Sequence, residues 1–150
     1  MGNVKAICIS EKKGTTKVPV DACRFATEHG IEGDAHAGPW HRQVSLLAHE
    51  SIERMRAVFP AIEDGAFAEN VVVEDVDLAA LGIGDRLRLG RGVELEVTQI
   101  GKECHHGCVI REKTGDCIMP REGIFCRVVS GGELRCGDTV ELAATTTDVR

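Results

Sequence analysis

Polar and apolar positions along the chain alternate mostly in short runs. Arg86-Leu87-Arg88-Leu89 alternates, Gly90-Arg91-Gly92 turns the chain, and Val93-Glu94-Leu95-Glu96-Val97 alternates again. That pattern predicts a β-hairpin with one buried face. Val4 to Ser10 is apolar and rich in β-formers and reads as a first strand, followed by a polar turn through Lys12, Lys13, Gly14, Thr15 and Thr16. A short strand is expected within Val18 to Phe25, where Pro19 places it at an edge or bend. Gln43 to Ala48 and the β-branched run Asn70 to Glu74 are further strands, and Ile118 to Val129 and Thr139 to Leu142 hold the last ones. Helical spacing is clear once. Ile52, Met55, Val58 and Phe59 form a stripe within His49 to Phe59, and Pro60 ends it. Leu78 to Leu81 fits one helical turn. Ile83-Gly84-Asp85-Arg86-Leu87-Arg88-Leu89 is echoed by Cys136-Gly137-Asp138-Thr139-Val140-Glu141-Leu142, which reads as a recurrent Gly-Asp turn launching a strand.

Seven or more short strands with glycine turns and one clear helix predict a mainly β fold, a barrel or sandwich with a helix attached. The length of 150 residues suits one domain. Residues 1–143 are expected to form it, with 144–150 as a flexible C-terminal tail. A 43% hydrophobic and 28% charged composition is that of a folded chain. The net charge of -6, one tryptophan and no tyrosine disfavour nucleic acid as a partner. No apolar run is long enough to span a membrane, and the N-terminus lacks signal-peptide features, so a cytoplasmic protein is expected. Seven cysteines cannot all pair internally, and in a reducing compartment they read as core packers, metal ligands or reactive sulfur.

Two segments concentrate groups able to do chemistry. The first runs from Gly30 through Gly33, Asp34, His36 and Gly38 to Trp40, His41 and Arg42. Its glycines can expose backbone amides, and His36, His41 and Arg42 can engage an anion such as phosphate. A solvated glycine turn is the plainer alternative. The second is Gly101-Lys102-Glu103-Cys104-His105-His106-Gly107-Cys108, directly after a strand. Nearby cations lower a thiol pKa, so Cys104 is a candidate nucleophile or sulfur carrier. Cys104, Cys108, His105 or His106, with Cys117 further on, also supply soft metal ligands, although the later cysteine intervals match no standard zinc pattern. Cys8, Cys23, Cys126 and Cys136 sit in or beside apolar strands and read as packing residues. Glu69 and Asn70 precede a strand where side chains can face a barrel mouth. Walker and Rossmann glycine loops and a nucleophile elbow are absent.

Gly30 to Gly38 followed by His41-Arg42-Gln43-Val44-Ser45-Leu46, then Phe67-Ala68-Glu69-Asn70, then Leu81-Gly82-Ile83-Gly84-Asp85-Arg86-Leu87, and Val93 to Ile100 leading to Cys104, resemble in that order the MOSC domain, the C-terminal domain of molybdenum cofactor sulfurases. The resemblance covers about Val4 to Leu142. It implies a small β-barrel like the barrel domain of pyruvate kinase, with one or two short helices. It implies binding of the molybdenum cofactor (molybdopterin) by Gly33, Asp34, His36, His41, Arg42, Glu69 and Asn70. It also implies a persulfide or a molybdenum ligand at Cys104, where His105, His106 and Cys108 are further metal candidates. Glu103 replaces the proline that often precedes that cysteine. No pyridoxal-phosphate domain precedes the barrel, so pyridoxal phosphate is not expected in this chain. A separate cysteine desulfurase or cofactor-insertion protein would load it, and molybdoenzymes would receive the sulfur. The alternatives are a small molybdenum-dependent reductase of N-hydroxylated compounds and a non-catalytic zinc or iron–sulfur β module.

Overall fold

The computed structural model describes residues 2–12, 16–101 and 122–143. Among these the strands are β1 (Gly2–Ile9), β2 (Val18–Val20), β3 (Ala22–Ala26), β4 (Gly30–Ile31), β5 (Val44–Ala48), β6 (Val71–Glu74), β7 (Arg86–Leu89), β8 (Val93–Ile100), β9 (Ile124–Ser130), β10 (Gly132–Arg135) and β11 (Thr139–Ala143). One helix, α1 (His49–Val58), follows β5, and Leu78–Ala80 forms a single 3-10 turn. The expected tail 144–150 and the residues from Ile118 to Arg121 lie outside the described residues.

Seven strands close into a barrel in the order β11-β7-β8-β9-β5-β6-β1, because β1 returns to pair with β11. Only β5 and β6 run parallel, joined through α1; the other pairs in the ring are antiparallel. Closure removes the free edges that invite aggregation. Of the four other strands, β2 pairs with β1 outside the ring, and β10, β3 and β4 form a small second sheet. Its Phe25, Ile31 and Leu134 join the barrel core.

Burial explains the two kinds of strand pattern in the sequence. In β7 and β8, Leu87, Leu89, Val93, Leu95 and Val97 point into the barrel while the residues between them are partly or fully exposed, giving clean alternation. In β6, by contrast, Val71, Val72 and Val73 are all buried. Val71 and Val73 face the barrel interior, whereas Val72 belongs to an outer cluster with Ala6, Cys8, Leu47 and Phe125. Ile52 and Met55 of α1, with Ile62 and Phe67, cover that outer face. A strand covered on both faces needs no polar alternate, hence the unbroken valine run. The helix stripe is narrower than its sequence suggests. Val58 is 67% exposed. At about 100° per residue it falls roughly 60° beyond Met55, off the line from Ile52 to Phe59.

The single strand expected over Val18 to Phe25 is two strands in different sheets, parted at Asp21. Pro19 sits in β2, which pairs with β1, as its lack of an amide donor requires. The short β10 went unforeseen because only Leu134 in it is buried. The two Gly-Asp turns match in detail. Gly84 and Gly137 both have φ near +95°, and the Asp85 and Asp138 carboxylates accept the amides of Gly82 and Arg135, three residues back.

Leu46 has no exposed surface and sits in the barrel core. Leu46→Ala is expected to lower the unfolding free energy by about 2–5 kcal/mol. Urea denaturation checks this, and a loss well under that range would contradict a fully packed interior.

Candidate functional site

A buried ion pair anchors the glycine- and histidine-rich loop. The chain leaves β1 at Ile9, and the Ser10 amide donates to Asp34 Oδ1 at 3.1 Å. Lys17 Nζ lies 2.8 Å from the same oxygen, with both side chains wholly buried. Nζ also lies 3.1 Å from Ser10 Oγ and 3.0 Å from His36 Nδ1. The His36 amide donates to Asp34 Oδ2 at 3.1 Å. Burial would raise the Asp34 carboxyl, but the hydrogen bond and charge of Lys17, with the Ser10 and His36 amides, hold it below the usual carboxylate value. The Lys17 amide donates to the Gly65 carbonyl at 2.9 Å. A Cβ on Gly65 would fall 2.0 Å from the Lys17 carbonyl oxygen, so this close approach needs glycine.

Past His36 the loop carries an aromatic and a guanidinium. Trp40 Nε1 donates to the His36 carbonyl at 2.7 Å, and the two rings are nearly parallel with centroids 6.2 Å apart. The Arg42 guanidinium carbon lies 4.9 Å from the Trp40 ring centre and 5.8 Å from that of Phe125 in β9. Such stacking orients the cation while leaving its N–H groups to bond elsewhere. Arg42 Nε is buried and finds no hydrogen-bond partner among the described residues. The loop then meets β8. Thr98 Oγ1 donates to the His41 carbonyl. His41 Nε2 lies 2.8 Å from Gln99 Oε1, and Gln99 Nε2 donates to the Gly101 carbonyl at 2.7 Å.

Of the sequence candidates, Asp34 and His36 share one cluster, and Arg42 packs on Trp40, which also contacts both His36 and His41. Gly33 sits exposed in the turn before Asp34. Glu69 and Asn70 are buried and bonded to backbone. Glu69 accepts the amides of Gly65 and Phe67 at 2.8 and 3.0 Å. Burial pushes its carboxyl up to about 7 despite those amides. Asn70 joins three strands, since Oδ1 accepts the Ser45 amide at 3.0 Å and Nδ2 donates to the Cys8 carbonyl at 3.0 Å. The candidates Cys104, His105, His106, Cys108 and Cys117 lie outside the described residues. Among the described residues no group of three His, Cys, Asp or Glu could hold a metal ion.

The described cysteines divide clearly. Cys8 and Cys126 are fully buried, and burial pushes both thiols well up. Cys23 is half-buried against the barrel core with its thiol pushed up to about 12, first by burial. Cys136, expected to pack, is instead exposed in the turn before β11, its Sγ 3.6 Å from the Val20 carbonyl oxygen. High thiol pKa values suppress the nucleophilic thiolate in the first three.

Two concavities among the described residues differ in charge, one being ringed by carboxylates and the other holding Arg127 paired with Glu28. A cleft of about 600 Å³ at the barrel end near Ile100 and Ile124 is rimmed by Glu50, Asp75, Asp77 and Glu122. Its carboxylates suit no anion. A shallower hollow of about 410 Å³ is lined by Trp40, His41, Gln43, Thr98 and Arg127, with Glu28 at its side. The larger cleft is therefore not where an anionic ligand belongs. Sequence reasoning missed Lys17, Thr98, Gln99 and Phe125, which carry no motif. Trp40 was visible as the chain's sole tryptophan.

This is a small closed β-barrel whose histidine-arginine loop packs beside the end of one barrel strand. The family model for the MOSC domain matches residues 33–141, and the chain belongs to that family. The YUAD protein of Bacillus subtilis has a similar structure, with 22% identity, 94% of each chain covered and a TM-score of 0.78. YiiM of Escherichia coli is similar at 20% identity, with 98% of this chain and 72% of that one covered and a TM-score of 0.67. YiiM of Geobacillus stearothermophilus gives 17% identity, 96% and 76% coverage and a TM-score of 0.70. At these identities the likeness concerns the fold. No curated protein matches the chain. Among the described residues no helix is long and apolar enough to cross a membrane.

The raised Glu69 carboxyl has a thermodynamic consequence. The folded state holds this proton more tightly than the unfolded state, whose value is near 4.5. Glu69's contribution to stability is therefore fully present below 4.5 and lost as pH rises through about 7. The span corresponds to at most about 3 kcal/mol. Thermal unfolding across this window should show stability falling with pH, and Glu69→Gln should flatten that part of the profile. An identical slope in the variant would contradict the assignment.

Proposed function

We propose that this chain binds the molybdenum cofactor through the histidine-arginine loop and carries or delivers sulfur as a persulfide on Cys104. The observation that carries the reading is the bridge from His41 through Gln99 to the Gly101 carbonyl. It fastens the anion-suited loop to the point from which the chain runs, three residues later, to Cys104. The high thiol pKa values of Cys8, Cys23 and Cys126 add support by leaving sulfur chemistry to other cysteines.

The donor set fits the group. Arg42, stacked between Trp40 and Phe125 with an orphaned Nε, suits a phosphate oxygen. His36 and His41 add hydrogen-bonding nitrogens, and the Trp40 ring gives an aromatic surface beside them. When bound, the cofactor supplies a thiophilic metal and a phosphate-bearing pterin. Cys104 takes sulfur by thiolate attack on a donor persulfide. Its sulfur bonds to the terminal sulfur, the donor S–S bond breaks, and the donor leaves as thiolate. That donor belongs to a separate cysteine desulfurase, with molybdoenzymes as recipients. Pyridoxal phosphate stays with the desulfurase.

Protein made in a cofactor-competent host tests the reading. Expected are pterin fluorescence, molybdenum and cyanide-labile sulfur in the wild type. Cys104→Ala should lose the labile sulfur, and Arg42→Ala should retain about tenfold less cofactor, as for one lost charged hydrogen bond. A wild type with neither cofactor nor labile sulfur would falsify the proposal. Zinc or an iron–sulfur spectrum in their place, lost on Cys108→Ser, would point to a metal-binding module instead.

A further inference from the structure

We propose that the shallow hollow beside the loop binds a neutral lactam ring, a heterocycle carrying a carbonyl next to an N–H, through the side-chain amide of Gln43. The proposal is argued from the hollow's own residues and does not depend on the preceding reading.

The hollow, of about 410 Å³, has room for a compound of one or two rings. Gln43 lines it and is only 3% exposed. The Val128 amide donates to Gln43 Oε1 at 2.9 Å. A backbone N–H needs an acceptor, so this contact fixes which end of the side-chain amide is oxygen. Nε2, with two N–H donors, is the other end, and it has no hydrogen-bond partner among the described residues. The side-chain atoms there that are both sealed and unpartnered are Arg42 Nε, His49 Nδ1 and Arg86 Nε. Gln43 Nε2 is not one of them, so its N–H groups reach solvent, through the hollow that Gln43 lines.

The other polar groups of the wall are already spent. Gln99 Nε2 donates to the Gly101 carbonyl, so Gln99 Oε1 faces His41 Nε2 as its acceptor. Thr98 Oγ1 directs its proton at the His41 and Phe125 carbonyls. Arg127 Nε donates to Glu96 Oε1 at 2.6 Å, and its Nη1 pairs with Glu28. Gln43 is held still as well. Val128 gives its amide to the Gln43 side chain, and its carbonyl accepts the Glu28 amide at 2.8 Å. Gln43 and Glu28 are thereby pinned to one residue of β9. A donor so buried and so fixed favours a ligand that brings an acceptor to it, since leaving it unmet costs free energy.

Charge decides the kind of acceptor. The single positive charge of Arg127 faces two carboxylates, Glu28 and Glu96, so this wall offers an anion no net attraction. A neutral carbonyl oxygen meets the Gln43 N–H without that penalty. Glu28, its side chain 54% exposed at the side of the hollow, is an acceptor for a ligand N–H. Trp40 adds an apolar wall. A carbonyl beside an N–H on a flat ring is a lactam edge, which purinones and pterins both carry.

The test follows the side-chain amide signals of Gln43 by proton–nitrogen NMR on the full chain, with Gln43 assigned from backbone connectivities. Hypoxanthine and unsubstituted pterin are titrated separately. Expected is a saturable shift of the Gln43 signals with at least one of them, and the tighter arm names the source of the ring. Purine, which lacks both the carbonyl and the lactam N–H, should bind the wild type at least about tenfold more weakly than the tighter lactam, and inorganic phosphate should leave the signals in place. Gln43→Glu keeps an acceptor for Val128 and removes the donor, so lactam affinity should fall about tenfold or more. The purine comparison needs no variant and decides the matter if Gln43→Glu does not fold. The proposal is overturned if neither lactam moves the Gln43 signals, if purine binds as tightly as the lactams, or if phosphate binds there more tightly. Lactam binding by a chain that retains no cofactor from a cofactor-competent host supports the hollow and removes the cofactor reading. Retained cofactor without lactam binding does the reverse.

Discussion

The buried contact between Lys17 and Asp34 is the interaction on which the candidate site depends. Two charges with no exposed side-chain surface are costly to bury, and such a pair seldom adds net stability. It does make failure expensive, since removing one partner alone typically costs about 3–5 kcal/mol. Its value here is positional. It joins the segment after β1 to the start of the histidine-arginine loop, and through the Lys17 amide it holds the Gly65 turn that Glu69 also caps. Three segments distant in sequence are thereby set against the outer face of the barrel.

That outer face exists because the barrel is covered unevenly. The outward residues Glu94 and Glu96 of β8 and Arg86 and Arg88 of β7 form ion pairs with one another or with Arg127. Ala6 and Cys8 of β1, Leu47 of β5, Val72 of β6 and Phe125 of β9 instead form an apolar layer under α1 and the following turns. Phe125 belongs to this covered layer and also supplies a ring for Arg42. Packing and site are thus continuous. The guanidinium is oriented by the edge of the same apolar layer that stabilises the fold, and the loop is fastened to β8 by Thr98 and Gln99.

Much of the fold was legible in the sequence because each strand's burial leaves a pattern. Alternation marked β7 and β8, the unbroken valines marked β6, and Pro60 marked the helix end. β10 was illegible because one buried leucine is no pattern, and the break at Asp21 was illegible because a change of sheet leaves no periodic trace. The loop's glycines, histidines and arginine stood out by density. Lys17 did not, since a lone lysine after a polar turn reads as solvated, and only the tertiary contact with Asp34 shows that it is buried. Glu69 and Asn70 stood out through family resemblance. The structure adds that their polar atoms are bonded to backbone of the Gly65 turn, β5 and β1.

The central claim is that Cys104 and the histidine-arginine loop serve one site. The chain's single tryptophan, Trp40, sits in that loop and is a built-in probe. The direct measurement is the Trp40 fluorescence lifetime in a chain with Cys108, Cys117 and Cys136 replaced by serine, before and after Cys104 is converted to a mixed disulfide with thionitrobenzoate. A shared site requires strong quenching by this absorber, reversed when the disulfide is reduced. A lifetime that stays unchanged on complete labelling would place Cys104 away from the loop and contradict the claim.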